Sequence, residues 1–145
     1  MKISCGIIPF RKNENGEVEF FLGHPGEHYS STKNMWMFLK GGVEGDETWV
    51  ETAMREFNEE TGLSMNDVDE SVLIPLGSVQ QNPHKVVVAF GLHYPDINPD
   101  VCHSNMVDGI TPEIDKYRWM TYEEVCKYTH HAHIGFYDQI IEMIG

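Results

Sequence analysis

The chain has 145 residues, 41% of them hydrophobic, with 23 acidic side chains against 10 basic ones and a net charge of −13. This length predicts one domain, residues 1–145, with room for a proper core, and no apolar run reaches the roughly 18 residues that a membrane-spanning helix needs. The acidic balance excludes a surface that coats long nucleic acid, so an anionic ligand must be drawn in locally by a few cations; Lys33, Lys40, Arg55 and Lys85 are the candidates, with Arg11 a weaker one.

Residues 2–9 (KISCGIIP) predict a first strand, and the opening segment lacks a signal-peptide pattern. Cys5, Cys102 and Cys126 are odd in number and without metal spacing, which fits reduced thiols in a cytoplasmic protein. Residues 13–16 (NENG) form a turn, and 18–23 return as a hairpin partner. A polar loop covers 24–35, and Trp36 to Leu39 predict a short strand into a glycine-rich loop. A helix follows over 47–61, then strands over 72–80 and 85–93, a loop over 95–114 and a last strand over 117–120. Thr121 with Glu124 three residues on makes a capping box for a short helix, and a final helix covers 134–144.

The chemistry concentrates in residues 41–63, GGVEGDETWVETAMREFNEETGL. Glu56, Glu59 and Glu60 stand at i, i+3 and i+4, so one helix face carries three like charges. Such a cluster is costly unless a cation sits among the carboxylates, and hard oxygen donors suit Mg²⁺ or Mn²⁺. Val50, Ala53, Met54 and Phe57 form an apolar stripe for packing on a sheet, which leaves the carboxylates expected on the solvent side. Arg55 lies one turn before Glu59 and can also reach back toward Glu47, so it can orient the cluster and offset its charge. Gly62 ends the helix, and Gly41, Gly42 and Gly45 let backbone approach a ligand.

This segment resembles the Nudix box, the signature of the Nudix hydrolases, and all nine of its defined positions are filled. The resemblance implies an α+β fold: a Nudix α/β/α sandwich with a mixed, curved sheet and the loop–helix–loop of the box. It implies an Mg²⁺-dependent enzyme, with Mn²⁺ able to substitute, that cleaves a diphosphate bond in a nucleoside diphosphate linked to another moiety, such as an NTP or a dinucleoside polyphosphate. The metal ligands carried over are Glu56, Glu59, Glu60 and the Lys40 carbonyl. A carboxylate from outside the box often joins them, and Glu113, six residues before Trp119, holds that place ahead of Asp115 and Asp108. Glu59 or Glu113 would act as base, with Arg55 and Glu47 holding the helix. Lys40, Gly41, Gly42 and Lys85 would meet the phosphates.

Residues Trp36 to Gly41 resemble the W-x-x-P-K-G entry of diadenosine-polyphosphate and diphosphoinositol-type members, with Leu39 in place of proline. Segments 23–26, 80–90, 104–105 and 112–115 are similar to small bacterial-type NTP pyrophosphohydrolases. Trp36 reads as a core residue beside the helix, while Tyr29, His84 and Tyr137 are the choices for stacking a base. His130, His131 and His133 are spaced so that two of them could hold a transition metal, although a solvated loop is the commoner meaning. Two other readings stay open: a nucleotide-sensing module without turnover, and an RNA 5′-end pyrophosphohydrolase. The partners expected are a nucleotide-type substrate, no long nucleic acid and no membrane, with homodimerisation undecided.

Overall fold

The computed structural model describes residues 1–26, 35–65, 68–105 and 113–145. Its strands are β1 (Lys2–Lys12), β2 (Val18–Pro25), β3 (Leu39–Gly42), β4 (Ile74–Asn82), β5 (Lys85–His93) and β6 (Ile114–Thr121). Its helices are α1 (Trp49–Thr61), α2 (Tyr122–Tyr128) and α3 (Ile134–Ile144). The sheet runs β4-β5-β1-β2-β6, with β3 also paired to β1. The β1–β5 pair is parallel and the other pairs are antiparallel. The sheet is therefore mixed, as expected.

β1 changes partner along one edge. It pairs with β3 from Ser4 to Ile7 and with β2 from Phe10 to Lys12. Pro9, which has no N–H to donate, stands between the two ladders. Seven consecutive residues of β1 are buried, Ser4 to Phe10, which requires cover on both faces. On one face Cys5, Ile7, Phe21, Leu39, Val88 and Phe90 pack against Ala53 and Phe57 of α1. On the other, Ile8, Phe10, Phe20, Phe38, Val87 and Ala89 pack against Val125 of α2 and Phe136, Tyr137 and Ile140 of α3. The result is an α/β/α sandwich.

Three expectations change. Trp36 and Met37 form only isolated bridges, and the strand proper is Leu39–Gly42, because the pairing available on β1 begins opposite Ile7. The expected loop over 95–114 contains a 3-10 turn at Pro99–Val101 and ends in β6. Trp36 packs with the α2/α3 core rather than beside α1, with its ring edge-on to His24. No helix among the described residues is long and apolar enough to cross a membrane. Cys5 is buried, Cys102 half-buried and Cys126 exposed, all as free thiols.

His133 carries a testable consequence of this packing. Its ring is 3% exposed and packs on Phe38 and Phe136. Nε2 lies 2.8 Å from Gln81 Oε1 and donates to it, while the buried Nδ1 has no partner among the described residues. Burial first, then the charge of Lys40, depresses its pKa from 6.5 to about 3. The folded protein thus refuses a proton that the unfolded chain accepts below pH 6.5, and stability falls as pH drops through that window. The slope for one such group is at most about 1.4 kcal/mol per pH unit. Denaturant melts between pH 7 and 4 should show His133→Gln losing stability less steeply than the parent; equal slopes would refute the assignment.

Candidate active site

α1 is started and stopped by local chemistry. Thr48 Oγ1 accepts from Glu51 N at 3.1 Å and Glu51 Oε1 accepts from Thr48 N at 2.8 Å, closing the capping box. Gly62 closes the other end with φ +76°, its N–H bonded to Asn58 O at 2.9 Å. Between them the buried positions are Thr52, Ala53, Glu56, Phe57, Glu60 and Thr61. Glu56 is 9% exposed and Glu60 2%, so two of the three carboxylates point into the protein, contrary to the expectation that they face solvent. The spacing 53, 56, 57, 60 is itself a core-facing pattern, and only the charge of the residues disguised it.

Gly41 explains where the Glu56 carboxylate goes. A Cβ at residue 41 would lie 2.1–2.3 Å from the Glu56 carboxyl atoms, so the carboxylate occupies the space that a side chain on β3 would fill. Glu60 Oε2 is buried with no hydrogen-bond partner among the described residues. Burial, followed by the charges of Glu56 and Glu113, pushes the Glu60 carboxyl well above its ordinary range. Burial also raises Glu56, against the pull of Arg55. A half-buried Glu113 is raised by burial and then by Glu59.

Arg55 organises the near end of the cluster. Its Nε donates to Glu47 Oε2 at 2.7 Å and its Nη2 to Glu47 Oε1 and to Gly42 O, both at 3.0 Å. Its Nη1 donates to Glu56 Oε1 at 2.9 Å and to Glu59 Oε2 at 3.3 Å. Glu47 Oε1 also accepts from Thr52 Oγ1 and Glu44 N. The hydrogen bonds from Arg55, then that from Glu44, hold the Glu47 carboxyl down at about 2. One guanidinium thus ties β3, the loop and α1 together. Lys40 lies across β3 from the buried carboxylates, on the Phe38 side; burial and then Lys85 lower its pKa to about 8, with the charges of Glu60 and Glu56 opposing.

The far end of α1 is clasped by residues that sequence reasoning did not assign. Asn105 N donates to Glu59 O at 3.1 Å, His103 N to Thr61 O at 2.9 Å, and the Tyr117 hydroxyl to Glu60 O. Glu113 N then donates to Asn105 O at 3.0 Å, and Gly26 N to Glu113 O at 2.8 Å. Glu113 is anchored to the acidic helix through Asn105, and its charge registers on Glu56 and Glu60. Short polar residues facing an acidic helix from 40 or more positions away leave no local signature.

Other candidates fall elsewhere. Asp115 pairs with His24 at 2.8 Å, and Arg11 pairs with Glu19 and lies over Trp119. Tyr137, 0% exposed in the α2/α3 core, has no face to offer a base. His84 sits in the exposed β4–β5 turn. Tyr29, Lys33 and Asp108 lie outside the described residues. Among the described residues no three His, Cys, Asp or Glu side chains converge as a preformed metal cage; Glu56 and Glu59 instead both lean on Arg55. The donor chemistry nevertheless fits a hard divalent cation: carboxylate oxygens, one of them buried and unpartnered, beside a strand cut back to glycine.

Residues 3–140 match the family model of the NUDIX domain. The chain belongs to the Nudix family. It is 29% identical to the bis(5′-nucleosyl)-tetraphosphatase [asymmetrical] of Mus musculus over 133 residues, 86% of this chain and 82% of that protein. It is 30% identical to an RNA pyrophosphohydrolase of Vibrio atlanticus over 134 residues, 83% of this chain and 71% of that protein. A solved C. elegans Ap4A hydrolase complex has the same fold, with TM-score 0.67 and 20% identity over 99% of both chains. This Nudix domain therefore carries its box on α1 and β3, and the family generally works with divalent cations.

Proposed function

We propose that this Nudix hydrolase cleaves a diphosphate bond in a nucleoside diphosphate linked to another moiety, an NTP or a dinucleoside polyphosphate, by attack of water on phosphorus. The observation that carries this reading is the buried Glu60 carboxylate with its unpartnered oxygen, next to Glu56 seated on Gly41. Glu56, Glu59, Glu60, Glu113 and the Lys40 carbonyl would hold divalent cations, Mg²⁺ with Mn²⁺ able to substitute. Bound there, the metal neutralises phosphate charge and lowers the pKa of a coordinated water.

The remaining work falls to side chains and backbone. Lys40, with Lys85 and the N–H groups of Gly41 and Gly42, receives the phosphates. Arg55, tied to Glu47, Glu56, Glu59 and Gly42 O, keeps β3 and α1 in register as the anion arrives. Glu59 or Glu113 would accept the proton from the attacking water, and parallel Glu→Gln variants distinguish them. The dinucleoside polyphosphate assignment draws support from the mouse relative, named as a tetraphosphatase. The Vibrio relative, named as an RNA pyrophosphohydrolase, supports a second reading in which the 5′ triphosphate end of an RNA is the substrate. The −13 charge opposes contact with the rest of such a strand.

A phosphate-release screen with Mg²⁺ and with Mn²⁺ tests the proposal against nucleoside triphosphates, ADP-ribose, NADH, dinucleoside tetraphosphates and 5′-triphosphate RNA. Turnover of a dinucleoside tetraphosphate or an NTP is expected. Turnover of the RNA alone would move the assignment to the second reading. Silence throughout, with nucleotides still shifting the melting temperature, would make the domain a sensor.

A further inference from the structure

The last turn of α1 carries Glu59 and Glu60, and a helix leaves the carbonyls of its last turn without intrahelical partners. In α1 these carbonyls are all met. Asn58 O accepts from Gly62 N at 2.9 Å, Glu59 O from Asn105 N at 3.1 Å, Thr61 O from His103 N at 2.9 Å, and Glu60 O from the Tyr117 hydroxyl. Only Gly62 belongs to the end of the helix itself; the other donors arrive from residues 103–117. His103 and Asn105 use backbone N–H groups, which every residue but proline supplies. Tyr117 differs, since its bond is made by a side chain and depends on the residue type.

The three carboxylates of α1 are not held alike. Glu56 sits on Gly41 and accepts from Arg55 Nη1 at 2.9 Å, and Glu59 accepts from the same atom at 3.3 Å. No hydrogen bond among the described residues aims Glu60 Oε2. The backbone of residue 60 therefore does the aiming, and the Tyr117 hydroxyl is bonded to that residue's own carbonyl. The hydroxyl is itself firmly placed. Tyr117 stands opposite Gly23 of β2, and its ring stacks on the buried Phe21 with centroids 5.9 Å apart and planes 12° apart. Phe21 in turn meets Trp119 edge-on at 5.4 Å. The neighbouring segment is fastened to the start of the same strand: Ser104 Oγ accepts from Ile114 N at 2.9 Å, and Glu113 N donates to Asn105 O at 3.0 Å.

We propose that Tyr117 is a positioning residue, whose hydroxyl fixes the backbone of Glu60 and so sets how tightly the acidic cluster holds a divalent cation. The inference rests on the cation site of the function proposed above. A small displacement of a buried carboxylate matters there, because Mg²⁺ demands near-ideal geometry with oxygens at about 2.0–2.1 Å. Removing the hydroxyl leaves the Glu60 carbonyl without its donor, and the turn shifts to find another. Tyr117 touches no reacting atom in this scheme. Its loss acts through the metal, and excess metal restores turnover.

Tyr117→Phe keeps the ring on Phe21 and deletes one hydroxyl. Thr129→Ala is its comparison: Thr129 Oγ1 donates to Val125 O at 2.6 Å and caps α2 in the same manner, on the opposite face of the sheet. Both variants should melt below the parent. Calorimetric titration with Mn²⁺ should show binding about tenfold weaker in Tyr117→Phe, the usual scale for losing a group that orients a metal ligand, and unchanged in Thr129→Ala. The Mn²⁺ concentration at half-maximal hydrolysis should rise by a similar factor in Tyr117→Phe, with kcat recovering at saturating Mn²⁺. Asn105→Pro removes the N–H bonded to Glu59 O and reaches the same turn by another route, so it should weaken Mn²⁺ binding even if Tyr117→Phe fails to fold. Parent-like Mn²⁺ affinity in a folded Tyr117→Phe, or equal weakening in Thr129→Ala, would overturn the assignment. A parent protein that binds Mn²⁺ and cleaves nothing would sink the proposed hydrolysis alone, and the affinities would still judge Tyr117. A parent that binds no Mn²⁺ would overturn the cation site and this inference together.

Discussion

Glu60→Gln is expected to lower kcat/KM roughly a thousandfold, about 4 kcal/mol of transition-state stabilisation, while making the metal-free protein more stable. Both effects come from one atom. Glu60 is 2% exposed and its Oε2 has no partner among the described residues, so an ionised carboxylate there is poorly compensated until a cation arrives. Its folded pKa is raised well above 4.5, chiefly by burial. A group raised in this way favours the folded state at low pH, and that contribution is lost as pH climbs through the folded value. The amide has no such titration. In EDTA the variant should therefore melt close to the parent at pH 5 and a few degrees above it at pH 8, since about 1 kcal/mol moves a domain of this size by roughly 2–4 °C. Added Mg²⁺ should raise the parent's melting temperature and leave the variant's largely unmoved. Near-normal turnover at saturating Mg²⁺ would remove Glu60 from the metal site.

Gly41→Ala is expected to reduce kcat/KM by about a hundredfold or more with a small change in melting temperature. The added methyl would sit 2.1–2.3 Å from the Glu56 carboxyl atoms. A carboxylate is the free end of a flexible side chain, so it moves aside rather than unfolding the strand, and the pairing of Gly41 with Cys5 survives. What is lost is position: Glu56 leaves its seat and its 2.9 Å bond from Arg55. Steady-state kinetics with a metal titration should show a higher half-saturating metal concentration as well as lower turnover. Full activity in a folded variant would mean that the Glu56 seat does not matter to the reaction.

Much of this was legible because it is local. The i, i+3, i+4 spacing of Glu56, Glu59 and Glu60, the Thr121 cap and the Gly62 stop act over a turn or two of helix, and the elements appeared close to where they were read. The reach of Arg55 to Glu47 and Glu59 was likewise a matter of helix geometry. Glu113 was a candidate by family resemblance, from its place ahead of Trp119, whereas its anchoring through Asn105 depends on two segments meeting at the end of α1. The placement of Glu56 and Glu60 went wrong for a physical reason: carboxylates normally face water, and these are held inward by the packing of Ala53 and Phe57 on the sheet.

By itself the sequence determined the helix that carries the acidic box, its limits and the kind of ligand such a helix wants, since propensity, capping and like-charge spacing are properties of neighbours. Tertiary structure alone decided that β1 hands over from β3 to β2 around Pro9, which side of the sheet Lys40 faces, and that Gly41 leaves room for Glu56. Those outcomes depend on strand register, and a shift of one residue would turn Lys40 toward the carboxylates and Gly41 away from them.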